Sequence, residues 1–348
     1  MTMTKRLIAI LTALTCGFPA LVAGVRLARK PAGEPVVIEV PSKSNLQFFT
    51  LWVALGSGFF QEEGLDPQLL VDETPRNAGQ YLLDGKADVA LLQPPMFLGR
   101  IAEEKPIVLF ASLLANEPIN LVVRKDVADA RQIPIRASLR ERLQAIKGLR
   151  IGVAGEPPPR LRTLFKSVGM DADRDIEIVI VDGPGQVQAL ADRRVDGLFA
   201  HTPYLETAIV NYQAVLVADT SGGEVPELTD GQIHTLATTR QNAAQKSDMI
   251  AAVTRAIYRA EKRIHSDPKA AVEAILASGA TTADRSLVEA IATIYSRAVP
   301  ATPKISTAGM ERDAILYPAH PVAPDFTRVK AADYVAPAFA EEAVKARP

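Results

Sequence analysis

From Pro35 onward, short apolar runs alternate with stretches in which apolar residues recur every three or four positions. These are the patterns of strands buried on both faces and of amphipathic helices. Val36-Val37-Ile38-Glu39-Val40, set between Pro35 and Pro41, predicts a first strand. Phe49 to Glu63 predicts a helix stopped by Gly64, where left-handed backbone costs least. Leu69-Leu70-Val71 predicts a strand, Ala78 to Leu83 a helix ending at Gly85, and Val89 to Leu92 a strand.

About a hundred residues later the same grammar returns. Arg150 to Val153 predicts a strand, Arg160 to Val168 a helix, Ile176 to Val181 a strand, Val187 to Arg193 a helix and Asp196 to Ala200 a strand. Gly64-Leu65-Asp66 matches Gly169-Met170-Asp171, and Asp88-Val89-Ala90 matches Asp196-Gly197-Leu198. Two copies of strand, helix, strand, helix, strand predict two α/β lobes of similar design.

Between the copies, strands at Ile107 to Phe110 and Leu121 to Val123 flank Asn116-Glu117-Pro118, a candidate crossing from one lobe to the other. Val215 to Ala218 and Ile233 to Thr238 bracket a polar, Gly-containing loop, a candidate return. Two crossings make a hinge. Beyond them Ile250, Val253, Ile257, Ala260 and Ile264 lie three and four apart behind an N-capping Ser247. Asp267-Pro268 starts the next helix, and Thr282 to Arg297 adds a third. The expected division is lobe I over 36–116 and 236–348 and lobe II over 117–235.

The first residues read differently. Lys5 and Arg6 precede an apolar stretch from Leu7 to about Val25, the order of a secretory signal, with cleavage expected after Gly24. An uncleaved anchor and lipidation at Cys16 are the alternatives, although Ala13-Leu14-Thr15 is a poor lipobox. Cys16 is the only cysteine, so a processed chain has no disulfide, thiolate metal site or cysteine nucleophile. The 348 residues carry a formal net charge of −1, no global field for nucleic acid or an anionic membrane surface. A local excess stands out from Arg124 to Arg162, with ten Lys or Arg against four Asp or Glu, among them Arg136, Arg140 and Arg142. It reads as a solvated helix face, or as a docking surface for a membrane permease.

Motifs of catalysis are missing. His201, His234, His265 and His320 have no ligand spacing, and there is no G-x-S-x-G or G-x-x-x-x-G-K-[ST] sequence. Gly183-Pro184-Gly185 reads as a turn, since Pro184 removes one amide that a phosphate needs. No cofactor is expected.

Ala54-Leu-Gly-Ser-Gly-Phe-Phe-Gln-Glu-Glu-Gly-Leu-Asp66 resembles the helix-and-turn signature of the sulfonate, nitrate, taurine and thiamine-precursor (NMT1/THI5-like) binding proteins of ABC transporters. Gly85-Lys86-Ala87-Asp88-Val89-Ala90 resembles their G-x-A-D step, and Lys147-Gly148-Leu149-Arg150-Ile151-Gly152-Val153 their K-G-K-x-I-G-V strand. Gly169-Met170-Asp171, Arg194-Val195-Asp196-Gly197 and Asp267-Pro268 continue a resemblance that covers roughly residues 36 to 300. It implies an α/β, two-lobed type II periplasmic-binding fold: each lobe a mainly parallel sheet flanked by helices, a hinge of two crossings, and a helical C-terminal part. It implies equally a periplasmic, monomeric protein that captures a small-molecule ligand between its lobes and delivers it to an ABC permease and its ATPase.

Carried over by position, the loop after the first strand supplies Ser44, Asn45, Gln47 and Phe48, and the loop after Leu92 supplies Gln93 and Met96. The second lobe supplies Glu156 and Arg160 after Val153, Asp182 after Val181, and His201 and Tyr204 after Ala200. One departure bears on the ligand. Where relatives that hold oxyanions place small residues and free amides, this chain has Gly155-Glu156-Pro157-Pro158-Pro159-Arg160, which removes three donors and adds an acid. An organic solute is therefore expected, with Arg160 or Arg162 available to a carboxylate. Two other readings stand beside this one: an enzyme of pyrimidine synthesis on the same scaffold, and a membrane-anchored sensor or accessory subunit.

Overall fold

The computed structural model describes residues 33–42, 45–72, 77–155, 158–317 and 324–346. The expected signal segment with Cys16, and Ser44, Glu156 and His320, lie outside the described residues. Within the rest the chain forms two five-stranded sheets. The first contains β1 (Glu34–Val40), β2 (Leu65–Val71), β3 (Val89–Leu92) and β4 (Ile107–Leu114). The second contains β5 (Asn120–Val123), β6 (Arg150–Val153), β7 (Glu177–Ile180), β8 (Gly197–Ala200) and β9 (Val215–Ala218). The chain then returns to the first sheet with β10 (His234–Thr239).

The strand orders are β2-β1-β3-β10-β4 and β7-β6-β8-β5-β9. In the first sheet β10 alone runs against its neighbours β3 and β4; in the second β5 alone runs against β8 and β9. Each reversed strand is therefore the one by which the chain enters a sheet from the other, so the two crossings produce the same mixed topology twice.

The sequence repeat has a physical counterpart. Gly64 and Gly169 both take positive φ, +82° and +74°, at the stop of a helix. Asp88 accepts the Val37 N–H at 2.9 Å, and Asp196 accepts the Arg150 N–H at 3.0 Å. In both lobes, then, a carboxylate ahead of the third strand satisfies an amide of the first, where no ladder partner exists.

Several expectations need correction. The single helix from Phe49 to Glu63 is two, Phe49–Gly56 and Phe59–Glu62, because Gly58 turns left-handed at φ +73°. β2 starts at Leu65, not Leu69, since Pro67 lies on an edge strand, where a missing N–H costs least. Ser247 is the first residue of the helix Ser247–Ser266 and not its cap, because the helix Arg240–Gln245 abuts it through Lys246. Gly183 and Pro184 make the expected turn, but Gly185 already opens the helix Gly185–Ala191. Asp267 does cap the helix Pro268–Ala277, accepting the Ala270 N–H at 3.0 Å.

The basic stretch is not one solvated face. Arg142 is buried and donates to the Val217 carbonyl and to Glu224, both at 2.6 Å. Arg150 pairs with Asp196 and Arg162 with Asp173, so much of the local excess is spent on intramolecular pairs. Among the described residues no helix is long and apolar enough to cross a membrane.

The first sheet is covered by helices that approach closely. A Cβ added at Gly56 would lie 1.8 Å from the Ala274 carbonyl oxygen, a backbone atom that cannot rotate away. Gly56→Ala must therefore separate the helices Phe49–Gly56 and Pro268–Ala277, at about 1–3 kcal/mol. Urea denaturation checks this expected loss of stability.

Candidate functional site

The parallel strands of both sheets direct their carboxyl ends toward one cavity of about 460 Å³. Open α/β sheets place ligands at such ends because the connecting loops diverge there and leave backbone and side-chain groups unspent. Asn45 and Gln47 follow β1, and Gln93, Pro94 and Pro95 follow β3. Ala154, Gly155 and Arg160 follow β6, Asp182 follows β7 and His201 follows β8. Of the positions expected from the sequence, Asn45, Gln47, Gln93, Arg160, Asp182 and His201 thus line one space.

Phe48, Met96 and Tyr204 do not line it. Phe48 is fully buried behind the cavity, its ring edge-on to His234 with centroids 5.0 Å apart. Tyr204 opens the helix Tyr204–Tyr212 and packs beside His201, and Met96 sits half-buried in the helix Pro94–Ala102.

The chain adds lining residues that the loop-after-strand rule missed. Glu117 and Pro118 come from the first crossing, Ile233 and His234 from the end of the return, and Tyr317 from the chain following the helix Thr307–Leu316. Glu117 had a local signal, being an acid between two uninterrupted apolar strands, and His234 heads an apolar strand. Tyr317 had none.

Glu117, Arg160 and Tyr317 form the floor. Arg160 Nε lies 3.6 Å from Glu117 Oε2, with both side chains buried. The guanidinium stacks over the Tyr317 ring at 4.2 Å, and the Tyr317 hydroxyl donates to the same carboxylate oxygen. Burial pushes Glu117 up, more than the charge of Arg160, the Tyr317 hydroxyl and the Ile119 backbone pull it down. Behind this floor Asp313 accepts the Gln232 N–H at 2.6 Å, and burial pushes its carboxyl up to about 7.

The walls are polar and neutral. His234 is pushed down to about 3 by burial and is uncharged; its Nε2 lies 3.2 Å from Gln47 Oε1. His201 is also lowered, by burial first and then by the Arg160 charge, against a hydrogen bond to the Thr202 carbonyl. At the mouth Asp182 Oδ1 accepts the Gly155 N–H at 3.1 Å. Pro158 and Pro159 open the helix Pro158–Ser167, so its first turn offers few amides to an anion. Among the described residues no cluster of His, Cys, Asp and Glu suits a metal ion.

A model of the NMT1/THI5-like family matches residues 45–271, well over half of the 348. The chain belongs to the NMT1/THI5-like family. This NMT1/THI5-like chain is 27% identical over 153 residues to a protein of Haemophilus influenzae named as a putative thiamine biosynthesis protein, covering 43% of this chain and 45% of that one. It is 29% identical over 124 residues to a 4-amino-5-hydroxymethyl-2-methylpyrimidine phosphate synthase of Aspergillus parasiticus, covering 35% and 33%. A formylaminopyrimidine-binding protein of Halalkalibacterium halodurans is 28% identical over 144 residues, 40% of each chain. The matches therefore span less than half the length of these relatives.

Among solved structures, a protein of Bordetella bronchiseptica superposes with a TM-score of 0.63 at 21% identity, covering 90% of this chain and 98% of its own. The alkanesulfonate-binding protein SsuA of Xanthomonas axonopodis superposes with a TM-score of 0.56 at 14% identity, covering 88% and 99%. The desulfurization enzyme DszB shares the fold too, at 0.59 and 14%, covering 90% and 100%. The fold of this NMT1/THI5-like chain is that of the type II periplasmic-binding proteins, two mixed sheets flanked by helices.

Proposed function

We propose that this protein is the extracytoplasmic substrate-binding subunit of an ABC importer, capturing a small organic solute between its lobes and delivering it to a membrane permease driven by an ATPase in trans. The observation that carries the reading is the cavity lined from the carboxyl ends of both sheets, with both crossings at its edge. Residues 36–116 with 236–348 act as one jaw and 117–235 as the other. Solute touching both jaws favours the closed form, the population shift that a permease can sense. The segment 1–24 directs export to the periplasm, where the protein works as a monomer.

The histidines support binding over catalysis: burial holds His234 at about 3, below the range in which an imidazole shuttles protons at neutral pH, and lowers His201 as well. A solute held only by the native state stabilises it by about 2.7 kcal/mol at a hundredfold excess over Kd. Thermal unfolding of the full chain against sulfonates, carboxylates, amines and pyrimidines is expected to show such a rise with one class. No shift with any class, and no co-purified solute, sinks the proposal.

The second reading is an enzyme on the same scaffold, favoured by the relative named as a synthase and by DszB. Turnover of any panel compound by the purified chain decides for it.

A further inference from the structure

We infer that the cavity selects an uncharged organic solute through two neutral imidazole acceptors, His234 Nδ1 and His201 Nε2, and that it excludes oxyanions. This rests on the binding reading above and names the chemistry of the solute at that same site. His201 Nδ1 sits against the Thr202 carbonyl, which can only accept, so Nδ1 carries the hydrogen and Nε2 is left as an acceptor. His234 Nε2 faces the Gln47 amide oxygen, so here Nε2 carries the hydrogen. His234 Nδ1 is then a lone pair, buried and, among the described residues, without a hydrogen-bond partner, in a side chain that is 1% exposed and lines the cavity. A buried acceptor of this kind costs stability until a donor reaches it. The two rings come from different sheets, one after β8 and one heading β10, so a solute that donates to both bridges the two sheets.

The charges around the pair argue against an ionic solute of either sign. Arg160 and Glu117 on the floor are already paired with each other at 3.6 Å, Arg160 also stacks on Tyr317, and Asp182 at the mouth is engaged by the Gly155 N–H, so these charges are committed to the protein before a solute arrives. The amides that might serve an anion instead are spent or missing: Gly155 N–H is held by Asp182, and Pro158 and Pro159 have none. What the walls offer instead are the amides of Asn45, Gln47 and Gln93 for an acceptor on the solute, and the imidazole nitrogens for its N–H or O–H groups.

The test is isothermal titration of the full chain with two sets of probes: nitrate, methanesulfonate and acetate, and the uncharged nicotinamide, cytosine and myo-inositol. Denaturing extraction and mass spectrometry of the protein from its own organism accompany it. The expected result is binding within the uncharged set, or an uncharged extracted solute bearing N–H or O–H groups, with no competition from the oxyanions. His234→Phe keeps the packing on Phe48 and removes the acceptor, so binding weakens about tenfold or more. His201→Leu is expected to do the same, whereas His201→Gln, whose amide oxygen accepts, stays within about threefold of wild type. An oxyanion as the tightest ligand, or unaltered binding in both His234→Phe and His201→Leu, overturns the inference while leaving a solute-binding function intact. No binding by either set together with no extracted solute removes both.

Discussion

Arg160→Met is expected to lower the unfolding free energy by about 3–5 kcal/mol, the largest single effect of any substitution in the cavity. The loss comes from what stays behind more than from what is removed. Glu117 is 1% exposed, and Arg160 is the charge that opposes the cost of its burial. Methionine fills much of the same volume over the Tyr317 ring but leaves the carboxylate facing an apolar neighbour. Adding Glu117→Gln removes the orphaned charge, so the double variant is expected to recover most of the loss, an interaction that a double-mutant cycle in urea measures directly. A single variant within about 1 kcal/mol of wild type would show that Glu117 is already neutral in the native state and that the pair contributes little.

The contrast between Arg160 and Tyr317 shows how far the sequence could be read. Strands, helix stops and the repeat were legible because their signals are local: apolar runs, glycines that turn left-handed, and Asp88 and Asp196 at equivalent places. Arg160 was legible for the same reason, since it follows a strand of the repeat and a loop at a strand end belongs to the cleft. Tyr317 reaches the floor only because a helix some 150 residues later lies across both crossings. Asp313 on that helix takes the Gln232 N–H, Arg312 donates to the Thr229 carbonyl, and Gly309 lets it approach Asp230 and Gly231, where a Cβ would lie 2.4 Å from the Asp230 carbonyl oxygen. No periodicity near residue 317 encodes those partners. The solvated-face reading of the basic stretch fits the exposed Arg131, Arg136 and Arg140 but not Arg142, whose burial depends on β9 and Glu224, which arrive much later in the chain.

The same helix also makes the hinge region more than a pair of linkers. Leu316 packs against the core under each sheet, and Asn116 Nδ2 reaches the Ser221 carbonyl at 3.0 Å to tie one crossing to the other. Asn120 continues this tie, accepting the Ser221 N–H at 3.0 Å while its amide nitrogen meets the Ser221 hydroxyl at 2.9 Å. The lobe closure proposed above would therefore bend two crossings braced to one another, which favours a small number of defined positions over a continuum.

Glu206 is expected to withdraw stability as pH rises from about 4.5 to about 7, against an opposite slope from His234, whose folded pKa lies below its ordinary value. Glu206 lies on the helix Tyr204–Tyr212, fully buried, with neither carboxylate oxygen in hydrogen-bonding geometry with any of the described residues. Burial pushes it up from 4.5 to about 7, while the bordering side chains of Tyr295 and Thr202 pull it down by less. Its folded pKa is raised, so the folded state holds the proton more tightly than the unfolded one. Its favourable contribution is complete below the unfolded value of 4.5 and is lost as pH passes through about 7. A shift of that size corresponds to roughly 3 kcal/mol by pH 8. Glu206→Gln cannot ionise, so its stability is expected to match wild type at pH 4 apart from a constant offset and to exceed it progressively above pH 5. Asp313, also raised to about 7, adds a parallel slope that the Glu206→Gln variant retains, which is why flattening is expected to be partial. Urea unfolding at half-unit steps between pH 4 and pH 8 resolves the two. If wild type and Glu206→Gln keep the same slope across that range, Glu206 is already ionised or solvated in the native protein, and the helix Tyr204–Tyr212 meets the helix Arg285–Tyr295 less tightly than its burial implies.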